Sequence, residues 1–133
     1  MLTERTEVSF RLSKFADKKE RWQKIAREAC KQSGNPWVPK FDDPILIGDV
    51  LSQMDNGDDC WIASLQHRTA NLLPKQGSKC ITLFIGPEGG WSIEEENMAR
   101  ELNLSFFSLG PHVLRLETAA ISALAVARQH LLC

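Results

Sequence analysis

The chain has 133 residues, of which 43% are apolar and 25% charged, with 16 Lys and Arg against 17 Asp and Glu. That is apolar material for one core, and a net charge of −1 excludes a molecule that holds polyanions by its overall field. Cys30, Cys60, Cys80 and Cys133 stand apart, with no C-x-x-C pair and no Cys/His spacing for zinc, so no metal is expected and a reduced, cytoplasmic setting fits. The opening MLTERTEVSF lacks the basic-then-apolar pattern of a signal peptide. No window approaches the roughly 20 apolar residues of a membrane span.

In chain order, Val8 to Leu12 is a short β-prone run. From Asp17 to Gln32 the residues Trp22, Ile25, Ala26, Ala29 and Cys30 recur at helical spacing, and Gly34 with Pro36 closes the segment. Arg11 to Lys40 carries nine Lys or Arg against three Asp or Glu, and Lys24, Arg27 and Lys31 lie off the apolar stripe. They read as a solvated face that can also complement a phosphate backbone. Asp42 to Asp59 holds six acids and no base and reads as solvated surface, with a turn at NGDD before a strand over Cys60 to Leu65. Cys80 to Ile85 reads as a buried strand, Ser92 with Glu95 as the capping box of a helix reaching Leu102, and Leu104 to Leu109 as a further buried strand. A long apolar helix follows over Ala119 to Leu132. Strands alternating with helices predict an α/β sheet with helices on its faces.

Ligands in open α/β sheets sit outside the carboxyl ends of the strands, where loops lead into helices. Two loops have that address. In Gly86-Pro87-Glu88-Gly89-Gly90 the glycines let a ligand approach the backbone and the proline stiffens the entry. In Leu109 to Thr118, Gly110-Pro111 turns the chain, and Arg115 and Glu117 lead into a helix whose free amides can hold a polar edge. Neither loop has the pattern of a P-loop or a Rossmann dinucleotide site, so backbone recognition of a nucleoside stays open.

The strings LFIGPEGGWSIEE and LGPHVLRLETAAISAL, with ERWQKIAREACKQSG upstream, resemble the RsmE-type ribosomal RNA uridine-N3 methyltransferases of the SPOUT superfamily, along nearly the whole chain. The resemblance implies an S-adenosylmethionine-dependent enzyme that methylates N3 of a uridine in 16S rRNA of the small ribosomal subunit. It also implies a SPOUT-type α/β sheet with a C-terminal deep trefoil knot, helices on both faces, and a homodimer to which the helix from Ala119 contributes buried contact. Gly86, Pro87, Glu88, Gly89 and Gly90 match the family's first cofactor loop, and Leu109, Gly110, Leu114, Arg115, Glu117, Thr118 and Ala119 match the second. Backbone groups at Leu109 and Leu114 would meet the adenine edge. Arg115 would stabilise charge on a uracil oxygen, and Glu88 or Glu117 would assist loss of the N3 proton.

The chain departs from the family at His112 and Asn35, where arginine is usual, and at Leu116, where threonine is usual; these bear on RNA contacts more than on the cofactor. The family's N-terminal PUA-like RNA-binding barrel is expected to be absent, so that residues 1–133 are a methyltransferase domain partial at its N-terminus. A non-catalytic RNA-binding or dimerisation module is the alternative, and cofactor binding separates the two. A phosphate-binding hydrolase is more distant, since no Walker lysine follows the glycines. His67, His112 and His130 read as surface or packing residues, Trp22 as part of the core stripe, and Trp37, Trp61 and Trp91 as packing residues.

Overall fold

The computed structural model describes residues 12–54, 59–65, 80–87 and 89–131, which fall into two compact units, 12–44 and 45–131. The unit 12–44 is built on α1 (Leu12–Ser33), a run without Gly or Pro, which explains why the helix extends toward the N-terminus of the expected Asp17. Leu12 is therefore helical rather than the end of a strand, and the rest of that expected strand lies outside the described residues. The helix ends where Gly34 takes φ 67°, so that the N–H of Gly34 donates to Lys31 O and that of Asn35 to Cys30 O (3.0 Å).

The expected stripe on α1 is only partly covered. Trp22 packs against the rings of Phe15 and Phe41 (centroids 5.9 and 6.3 Å apart), Ile25 is exposed, and Cys30 is buried. Trp37 is a correction: it is 81% exposed, not packed. Its backbone is pinned instead, by the N–H donating to Asn35 Oδ1 (3.0 Å) and the carbonyl accepting from Cys30 Sγ (3.4 Å).

The unit 45–131 holds three parallel strands, β1 (Cys60–Ala63), β2 (Thr82–Phe84) and β3 (Ser105–Phe107), in the order β2-β1-β3. Cys60 pairs with Thr82, and Trp61 with Ser105. Alternation sends Cys60, Ile62 and Phe84 to one face and Trp61, Leu83 and Phe107 to the other. On the first face lie α2 (Ile47–Ser52), through Ile47 and Leu51, and α3 (Ile93–Glu101), through Ala99. On the second lies α4 (Leu116–Leu131), through Ala123 and Ala127, with His130 edge-on to Trp61 at 5.6 Å. A parallel sheet covered on both faces accounts for the continuous apolar runs in the strand sequences.

The stretch read as solvated surface is corrected at two places. Ile47 and Leu51, four apart on a short helix, are core residues. Asp59 is buried, its Oδ1 accepting from the indole N–H of Trp61 at 2.8 Å. The expected capping box is present: Ser92 Oγ accepts from the N–H of Glu95, and the Glu95 carboxylate accepts from the N–H of Ser92 at 2.8 Å. Among the described residues no helix is long and apolar enough to cross a membrane, and no group of His, Cys, Asp or Glu is placed to hold a metal ion.

Candidate active site

Parallel pairing brings the carboxyl ends of all three strands to one edge, and a cavity of about 250 Å³ opens there. Ala63 to Leu65 supply the wall beyond β1. Beyond β2, Ile85, Gly86 and Pro87 line the cavity with Gly89, Gly90 and Trp91, and beyond β3 come Leu109 and His112 to Leu114. Leu116 and Ala119, on the first turns of α4, complete the lining. Both loops singled out in the sequence thus face one cleft.

Trp91 explains why position 86 is glycine. Its indole N–H donates to Ala63 O at 2.8 Å, which clamps the ring between the ends of β1 and β2. A Cβ at Gly86 would lie 3.0 Å from that ring. Gly90 turns the chain at φ 73° and Gly110 at φ 134°, with nothing within 4 Å of an added Cβ at either, so backbone conformation and open space set these two positions.

The wall beneath the glycine loop is polar and buried. Glu96, on α3, lines the cleft with Ser64; Ser64 Oγ donates to Glu96 Oε1 (3.3 Å), and Arg100 Nη2 donates to Oε2 (3.1 Å). Arg100 also lies over the ring of Phe106 at 5.3 Å. Among the described residues lining the cleft, no Lys or Arg occurs and one carboxylate does. Such a lining suits a ligand with apolar parts recognised by main-chain groups.

The sequence matches, over residues 1–128, the family described as RNA methyltransferase domain. The chain belongs to this family. The ribosomal RNA small subunit methyltransferase E of Bacillus subtilis is 36% identical over 122 residues, covering 84% of this chain and 47% of that protein. The corresponding protein of Synechocystis is 33% identical over 130 residues, covering 94% and 42%. The chain therefore spans less than half the length of either. A crystal structure of ribosomal RNA small subunit methyltransferase E from Neisseria gonorrhoeae, bound to S-adenosylmethionine, is similar with a TM-score of 0.80 at 32% identity, covering 96% of this chain and 52% of that one.

In this RNA methyltransferase domain the expected site residues divide into three groups. Gly86, Pro87, Gly89, Gly90, Leu109, Leu114 and Ala119 line the cleft. Gly110, Arg115, Glu117 and Thr118 are exposed and do not form its lining, and Glu88 lies outside the described residues. Glu117 does not precede the helix as expected but sits in its first turn, where a carboxylate meets the positive end of the helix dipole. His112, read as a surface or packing residue, borders the cleft, as does Leu116. Ser64 and Glu96 were not singled out in the sequence, because their meeting joins positions 32 residues apart.

Proposed function

We propose that this chain is the methyltransferase domain of an enzyme that transfers a methyl group from S-adenosylmethionine to N3 of a uridine in 16S rRNA of the small ribosomal subunit. The observation that carries this reading is one cleft at the carboxyl edge of the sheet, lined by Gly86, Pro87, Gly89 and Gly90 together with Leu109, Leu114 and the first turns of α4. The residues present fit the cofactor: Gly86 leaves space that a side chain would close against Trp91, and apolar side chains flank exposed main chain. When bound, S-adenosylmethionine supplies an electrophilic methyl group on a sulfonium.

In this reading Leu109 and Leu114 meet the adenine edge through their main-chain groups, Leu116 and Ala119 cover its face, and Gly89 and Gly90 admit the ribose and methionine parts. Gly110 shapes the second loop and Thr118 the first turn of α4, both from outside the cleft. Arg115 and Glu117, exposed beside that cleft, are then free to meet the RNA. Arg115 stabilises charge on a uracil oxygen, and Glu117 or Glu88 takes the N3 proton. Positioning of the base supplies most of the remaining rate, and the reaction needs no metal.

The same reading assigns residues 1–133 to a SPOUT domain with a deep trefoil knot, places the family's RNA-binding barrel outside these residues, and makes the protein a cytoplasmic homodimer joined through α4. Support for the dimer is the exposed apolar face of α4, which carries Ile121 and Leu124.

Calorimetric titration with S-adenosylhomocysteine tests the cofactor site. Saturable binding is expected, and Gly86→Val, which drives a branched side chain into the Trp91 ring, lowers affinity by at least tenfold while circular dichroism confirms that the variant is folded. A folded chain that binds neither S-adenosylmethionine nor S-adenosylhomocysteine overturns the reading and leaves the non-catalytic module.

A further inference from the structure

We propose that Glu96 makes the cleft prefer a cationic ligand, so that this domain holds S-adenosylmethionine more tightly than the neutral product S-adenosylhomocysteine. The inference rests on the cofactor reading above and concerns a residue which that reading does not use. Glu96 is the formal charge on the described wall, on a side chain 9% exposed, and Ser64, itself buried, donates to it from the end of β1.

A carboxylate in such a place is costly to bury unless cations and donors compensate it. Arg100 does so from one side, yet its own side chain is 44% exposed, so water screens the arginine more than the carboxylate. The pair thus presents its negative end to the cleft and its positive end to solvent. The two ligands differ by one methyl group and one positive charge on sulfur. A buried carboxylate on the wall acts on that charge through the low-dielectric interior without touching it. Ser64 is a positioning residue in this scheme, since its hydroxyl fixes the carboxylate on the cleft side. The consequence for turnover is direct: loss of the methyl group removes the charge that the wall attracts, which favours release of the spent cofactor.

The test is a comparison of dissociation constants for S-adenosylmethionine and S-adenosylhomocysteine, by calorimetry on the full chain and on two variants. In Glu96→Gln the preference for S-adenosylmethionine falls by about fivefold or more relative to the unaltered chain, because one unit of charge leaves the low-dielectric wall. In Arg100→Gln the preference rises, since one compensating cation, held at 3.1 Å from the carboxylate, is gone. A purely structural role for Glu96 weakens both ligands equally and leaves their ratio unchanged; that result, or a fall in the ratio for Arg100→Gln, overturns the inference. Failure of the unaltered chain to bind either ligand is a different outcome, and it sinks the cofactor reading together with this one.

Discussion

Asp59 ends the acidic stretch inside the core rather than in water, because Trp61, two residues on, is fully buried and its indole N–H needs an acceptor. The carboxylate supplies one at 2.8 Å, while the Asp59 carbonyl accepts from the N–H of Thr82 and continues the β1–β2 ladder. Replacing Asp59 with Ala removes the side-chain acceptor and is expected to lower stability by about 1–3 kcal/mol in urea unfolding. Asp59→Asn keeps an oxygen in the same place and loses markedly less. Equal losses in the two variants would mean that charge, not the hydrogen bond to Trp61, matters at this position. Trp91 meets the same need differently, through a main-chain carbonyl, and in doing so leaves little room for a side chain at Gly86.

At the scale of elements, two helices stop by the same device with different residues. Gly34 after α1 and Asn103 after α3 both enter the left-handed region, at φ 67° and 55°. In the second case the N–H of Asn103 donates to Arg100 O and that of the buried Leu104 to Ala99 O (2.9 and 3.0 Å). Asparagine tolerates this conformation, and a β-branched residue does not. Asn103→Val is expected to lower stability by about 1–2 kcal/mol, and Asn103→Gly to leave it unchanged or raise it, as read by thermal unfolding. The start of α3 was legible in the sequence because a capping box is written in four consecutive residues, Ser92 to Glu95. The short α2 was not: Ile47 and Leu51 stand among acids, and only their packing under β1 shows which face is buried. The same distinction governs the site. Glycine loops after apolar strands announce a cleft in one dimension, whereas the Ser64 and Glu96 wall exists only once β1 and α3 are side by side.

For the molecule as a whole, α4 is the element with two faces of opposite use. Ala123 and Ala127 are small enough to seat the helix closely on Trp61 and Phe107, while Ile121 and Leu124 stand 70% and 63% exposed on another side. If that outer face joins two copies, Ile121→Asp shifts the sedimentation of the chain from dimer to monomer at micromolar concentration. The variant's secondary structure stays intact, because exposed positions contribute within about 0.5 kcal/mol to the fold of the single chain. A monomeric unaltered chain would remove the dimer from the proposed function. The strand order has a consequence for how this unit folds. β1 is central, yet it precedes both of its neighbours in the chain: Cys60 waits for Thr82, and Trp61 for Ser105. Contacts so far apart in sequence must close large loops before they yield any stabilisation, which slows folding. As the chain leaves the ribosome, β1 emerges with apolar residues on both faces and no partner on either edge. It stays unpaired until synthesis has passed β2, and one edge stays open until it has passed β3. During that interval Trp61 and Ile62, fully buried in the folded unit, are exposed and in need of protection from aggregation.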